Sequence, residues 1–403
     1  MNAQQEIIDL MIRHRIYLQR LASSHAAMIG KGLTGSATAV TGLLYESLER
    51  ILSSRAMTKA QSDAVLALQK KLRDLLHSAY EKTEEKYTGE LVEFMKHESD
   101  FMFKTLAVSL PEAKAAIIKG VKEGSLERIV AFGSFSGETV SGWFKTLETN
   151  QVNQIMGRVR LGMVNGETTA SLIRAIRGTR ESNYSDGILV GYSTRSAETL
   201  ARTITNGVAN ASHQEFYKAN EKLIEEEVFT ATLDGRTSAI CASLDGQRFK
   251  VGTGPIPPLH PNCRSVRIPL LKGQDDLSGT RPYVRDDRTR SERESDLRQE
   301  AKARLGESKW SALSEKARRV EIANERAAWQ AANIGRARVT TTYESWFKAQ
   351  PAWFQDSVLG PSRGKLFRAG GMPLKGFVDK SGRMYNLAEL KARDAGMFRK
   401  AGL

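Results

Sequence analysis

The side chains with the most chemistry per residue are Cys241, His260 and Cys263, with Asp234 just upstream. The stretch from Asp234 to Arg264 holds both cysteines of the chain, one of its six histidines and four of its ten prolines. Two thiols and an imidazole are an N/S donor set of the kind zinc takes. A closed structural zinc site needs four ligands and this set supplies three, so Asp234 or the more distant His213 is the candidate fourth. Cysteine beside histidine is also a nucleophile–base pair, and histidine with aspartate supports hydrolysis. Against catalysis, His260 sits in a proline-rich loop, no oxyanion device is visible, and no carboxylates are paired at two-metal spacing. A third reading is a polar packing knot. In it Asp234 and Arg236 pair with backbone groups or with Arg264, and the thiols are small buried hydrophobes. A Cys241–Cys263 disulfide is the fourth, and would form only at an oxidising stage. No cofactor is expected, zinc at this set being the exception that the ligand types admit.

The elements that must position these residues can be read from periodicity. Glu227–Leu233 alternates with β-branched residues and reads as a strand. Leu244–Val251 places Asp245-Gly246 at a tight turn of a hairpin, and Ser265–Leu270 reads as a last short strand. Helices precede them, over Ala170–Gly178 and Ser193–Asn220. The second presents Leu200, Ile204, Val208 and Ala211 on an inner face. Its polar stripe of Arg202, Asn206, Asn210 and His213 is of the kind that usually faces solvent, though it would also serve a buried polar cluster.

Residues 1–150 read as almost wholly helical. Ile8, Met11, Ile12, Ile16 and Tyr17 recur at steps of three and four, and the stripe shows again at Leu66, Leu68, Leu72, Leu75 and Leu76. The segment 61–103 is either one long helix or two. Residues 271–295 read as a polar linker, 296–335 as helical again, and 340–403 as short helices between Gly/Pro turns. The expected fold is mainly α, with long N-terminal helices, an α+β module holding a small sheet or hairpin, and a basic helical C-terminal region. The expected division is 1–150 as a protein–protein contact region, 151–270 as the motif-bearing domain, 271–295 as linker and 296–403 as the basic region.

Composition narrows the function classes. With 403 residues, 40% hydrophobic and 26% charged, the chain is globular, and no apolar run reaches membrane-spanning length. The N-terminus lacks the continuous apolar core of a signal peptide, and two cysteines fit a reducing compartment, so synthesis in a cytoplasm is expected. Phosphate-cradling loops, dinucleotide glycine motifs and nucleophile elbows do not occur. The net charge is +14, and residues beyond 270 carry 27 Lys/Arg against 17 Asp/Glu. That excess implies an anionic neighbour, and Arg281, Arg285, Arg288, Arg290, Arg318, Arg319, Arg336 and Arg338 are the candidate DNA contacts. Much of it also reads as a solvated helix laced with ion pairs, as in Arg290-Ser-Glu-Arg-Glu-Ser-Asp-Leu-Arg298. Trp346, Phe347, Trp353, Phe354 and Phe367 lie among Lys348, Arg363, Lys365 and Arg368. They read as a small core, as an anchor on a partner protein, or as a stacking surface for single strands.

Several uncommon short motifs recur in one order. Asp234, Arg236, Thr237, Ser238 and Cys241 form a first block, Asp245-Gly246 a second, and His260, Pro261, Asn262, Cys263 and Arg264 a third. In this order they resemble the phage Mu F-like minor head proteins, also called head morphogenesis proteins. The resemblance covers residues 151–270 best. The stretch from Thr342 to Gly370 is similar to the C-terminal region of some members. What it carries over to the motif residues is a structural signature rather than catalysis. It implies a minor structural protein of a tailed-phage head, made in the host cytoplasm and placed in the virion head interior near the portal. The implied partners are the portal protein, the major capsid or scaffolding protein, and double-stranded DNA held without sequence preference; no membrane is implied. The alternatives are a metal-dependent hydrolase or nuclease centred on His260, and a stand-alone DNA-binding protein.

Overall fold

The computed structural model describes residues 2–52, 58–274, 277–286, 288, 290–379 and 381–403. The fold is mainly α with a small α+β part, as the periodicity predicts. The chain forms two compact units that do not follow chain order. One, here the helical unit, is Arg13–Glu225 with Val251–Arg264. The other, the mixed unit, is Met1–Ile12, Glu226–Lys250 and Ser265–Leu403. These units differ from the expected division at 150, 270 and 295, and they split the motif blocks.

In the helical unit the core is laid down by long amphipathic helices. Helix α1 is Ala3–Thr34, α2 is Ala37–Ile51 and α3 is Lys59–Ser109. At 51 residues α3 is a single helix roughly 76 Å long. Its buried residues Val65, Leu68, Leu72, Leu76, Tyr80, Thr83, Tyr87 and Leu91 fall at steps of three and four, which keeps one face inward without a break. A capping box between Thr58 and Gln61 starts it, and Pro111 follows the turn at its end. Against this face pack residues of Val140–Asn165 and Ser193–Ala219, including Phe144, Ile155, Leu200, Ile204 and Val208. Removing one such leucine to alanine costs about 2–5 kcal/mol. The outer members of the expected stripes, Ile16, Tyr17 and Leu66, are exposed.

The polar stripe on Ser193–Ala219 does not face water. Asn206, Asn210 and His213 are buried and only Arg202 is exposed. Helical spacing tells which residues share a face, but this helix is enclosed around most of its circumference, so its polar residues are buried as well.

The mixed unit holds two three-stranded sheets. Strands β1 (Ile224–Thr230), β3 (Arg248–Lys250) and β4 (Val266–Leu271) form the first, in the order β3-β1-β4. Glu227 of β1 is opposite Phe249 in the antiparallel β1/β3 pair. The second sheet joins β2 (Leu233–Asp234), β5 (Thr280–Val284) and β6 (Ile334–Arg338), with β5 central. The expected 271–295 linker is therefore corrected: it contributes a strand, and a helix begins at Arg290. The partners of β5 are about 50 residues away on either side, beyond the reach of a local pattern.

The tail aromatics form a core. Tyr343, Trp346, Phe347, Phe354 and Phe367 are buried with Leu233, Ala242, Leu366 and Phe377, and Trp353 stays exposed. No helix among the described residues is long and apolar enough to cross a membrane.

Candidate functional site

The first motif block folds as a turn followed by a helix cap. The Asp234 Oδ1 accepts from the Arg236 N–H at 3.1 Å and from the Thr237 hydroxyl at 3.1 Å, an Asx-type turn around Gly235. Ser238 caps the short helix Ala239–Leu244 by accepting from the Cys241 N–H at 3.4 Å, which places the Cys241 side chain in the interior at 2% exposure. The Arg236 side chain lies at the surface. The Asp-Arg-Thr-Ser-Cys spacing is thus the spacing of a turn, a cap and a buried first helical turn.

Asp245 is the hub of the mixed unit. Its carboxylate accepts from the backbone N–H of Ala231 at 2.7 Å and of Tyr343 at 2.6 Å, and from Arg281 Nη1 at 3.0 Å. Gly246 follows at φ +82°, a left-handed conformation that glycine adopts without strain, and donates to the Phe229 carbonyl at 2.8 Å.

The third block lies on the helical unit. Asn262 has φ +61°, its N–H donates to the Thr203 hydroxyl at 2.9 Å, and its Nδ2 donates to Thr199 at 3.4 Å. Arg15 donates to the Arg264 carbonyl at 2.9 Å, and Pro261 is exposed. Gly207 makes room for this loop, since a Cβ there would meet Phe135 at 2.4 Å and Pro258 at 3.1 Å. His260 Nδ1 is 2.8 Å from the Pro261 carbonyl. Burial alone would lower the His260 pKa, but hydrogen bonding to the Cys263 side chain and to that carbonyl outweighs it, and the pKa stands above its ordinary value.

The candidate ligands are divided between the units. Asp234 and Cys241 belong to the mixed unit, and His260 and Cys263 to the helical unit. Both cysteines are buried and neither is disulfide-bonded. His213, the other candidate fourth ligand, pairs instead with Glu98 at 3.0 Å.

The candidate DNA contacts fare unequally. Arg281 is 3% exposed and its guanidinium is taken up by Asp245 and by the Ala231 and Thr341 carbonyls, so it is corrected from a surface contact to a buried strut. Arg285 lies over the Tyr283 ring, and Arg288 is held by Asp286 and Asp296. Arg318 donates to the Trp310 carbonyl, and Arg319 pairs with Glu315 on an exposed helix face. The Arg290 side chain lies outside the described residues. Arg336 and Arg338 are exposed together on one face of the edge strand β6. A shallow groove beside them is lined by Arg248, Ser278, Gly279, Thr280 and Arg338.

Each motif block is locked by hydrogen bonds, local ones at Asp234 and Ser238 and long-range ones at Asp245 and Asn262, which is how a structural signature is built. Residues 153–268 match the family described as Phage Mu protein F like protein, a match that supports a phage head morphogenesis protein of the Mu F-like kind. No curated protein and no solved structure matches the chain.

Proposed function

We propose that this protein is a minor structural component of a tailed-phage head, binding the portal or inner capsid and lying against packaged DNA, with a non-enzymatic role. The observation that carries the reading is the match over residues 153–268, together with a bonding pattern there that explains the motif residues by turns, caps and buried pairs. The net charge of +14 supports the DNA part. A protein enclosed with packed DNA faces a dense phosphate surface, and each neutralised phosphate releases counterions.

The groove flanked by β6 is a basic surface of the mixed unit. Arg248 and Arg338 line it with the hydroxyls of Ser278 and Thr280, a set that suits phosphate oxygens. Alternating exposure along β6 puts Arg336 and Arg338 on the same side.

The experiment is a binding assay of the full-length protein on double-stranded DNA of random sequence across a salt series, alongside pull-down with the portal protein. Salt-dependent DNA binding and portal capture support the reading. Absence of both refutes it, and tight DNA binding without portal capture favours the stand-alone DNA-binding alternative.

A further inference from the structure

A cluster outside the three motif blocks lies within the helical unit. The Glu98 carboxylate on α3 has 0% exposure, and its ion-pair partners among the described residues are all imidazoles. His14 on α1 places Nε2 2.8 Å from each carboxylate oxygen. His213 on Ser193–Ala219 places Nε2 3.0 Å from Oε2. His97, about half exposed, has Nδ1 3.4 Å from Oε1. One donor atom from each of His14, Glu98 and His213 lies within 4.8 Å of the other two.

The surroundings are aromatic. Phe101 stacks on His14 with ring centres 3.7 Å apart and planes at 11°, and Tyr17 stacks on it at 5.1 Å. Among the described residues the one side-chain hydrogen bond of His213 is that to Glu98, and its Nδ1 is buried without a hydrogen-bond partner. This histidine is therefore aimed at the carboxylate rather than woven into a wider network.

An ionised carboxylate in such a place needs compensating charge, and among the described residues no arginine or lysine supplies it. Two buried imidazoles converging on one carboxylate, with a third at its edge, make the nitrogen–oxygen donor set that zinc-class ions take at about 2.0–2.2 Å. At those bond lengths tetrahedral ligands stand roughly 3.3 Å apart, so the present imidazole–carboxylate separations of 2.8 and 3.0 Å would open by a few tenths of an ångström.

We propose that His14, Glu98 and His213 bind one divalent transition-metal ion of the zinc class, with His97 or a water completing the coordination. The ligands come from three helices, with Glu98 lying 84 residues from His14 and 115 from His213. The ion cross-links the helical unit and stabilises the folded chain over the unfolded one.

The test uses the full-length protein stripped with chelator and then titrated with Co²⁺ and with Zn²⁺. Elemental mass spectrometry, the Co²⁺ visible and near-ultraviolet spectrum, and thermal unfolding are read together. The expected result is one ion per chain, a Co²⁺ spectrum without thiolate charge transfer, and a Tm that rises with Zn²⁺. Binding is lost in Glu98→Gln and His213→Gln and kept in Cys263→Ser. Should the Glu98 and His213 variants fail to fold, the wild-type Co²⁺ spectrum decides, because it distinguishes nitrogen–oxygen ligands from thiolates. A folded, stripped protein that takes up neither ion overturns the proposal. So does an ion whose spectrum shows thiolate charge transfer and which disappears in Cys263→Ser.

Discussion

Arg281 and Asp245 form a buried ion pair in which the carboxylate also accepts two backbone N–H groups and the guanidinium donates to two backbone carbonyls. The pair joins residues from four stretches of chain, around Ala231, Asp245, Arg281 and Tyr343. Removing one partner leaves the other charged and unpaired in the interior. Arg281→Ala is expected to cost about 3–5 kcal/mol, measured by denaturant unfolding. Arg281→Ala with Asp245→Asn should cost less than the sum of the single changes. Additivity would mean that the two groups act independently.

Asn262 sits at φ +61°, where most residues are strained. Asn262→Gly keeps the conformation and loses only the Nδ2 bond to Thr199, so unfolding should shift by less than about 1 kcal/mol. Asn262→Val adds left-handed strain of about 1–2 kcal/mol. Equal stability of the two variants in thermal unfolding would show that the backbone conformation is not what the position selects for.

His25 is buried beside Thr205, and burial lowers its pKa to about 4. In the unfolded chain it titrates near 6.5. As pH falls from about 6.5 to about 4 the unfolded chain gains a proton that the folded one refuses, so stability is lost across that window. At full extent the loss is roughly 3 kcal/mol, from about 1.4 kcal/mol per pH unit. His25→Gln should flatten the fall in Tm between pH 7 and pH 5. An unchanged slope would assign the acid sensitivity elsewhere.

The basic groove sets two kinds of arginine side by side within one sheet. Arg336→Glu with Arg338→Glu should weaken DNA binding at every sequence and reduce the magnitude of the salt slope by about one for each phosphate no longer neutralised. Arg281→Ala, at the buried position of the strand beside them, should leave the slope alone wherever the variant is folded. A double variant that binds DNA as the parent does would remove β6 from the interface.

Local patterns reveal some features and miss others for a common reason. The α3 stripe and the Asp245-Gly246 turn show in sequence because residues a few positions apart define them. The small core among the tail aromatics is one of three readings that their composition allows, and its long-range members Leu233 and Ala242 carry no local mark. Arg281 looks like one more positive charge in a basic region, since the acid that holds it is 36 residues upstream. His14 and Glu98 share nothing in the sequence that points from one to the other, yet their side chains are 2.8 Å apart. The motif residues stand out by type, but their roles as turn, cap and left-handed corner need the backbone.

Gln4 donates to the Pro269 carbonyl at 3.0 Å and accepts from the Leu271 N–H at 2.8 Å, so the beginning of α1 is stitched to β4. On the ribosome these partners are separated in time as well as in sequence. The mixed unit cannot close until more than 260 residues have followed Gln4 out of the exit tunnel. Its assembly is therefore a late event that awaits the C-terminal part of the chain, and shortening the chain at either end would disturb the same unit.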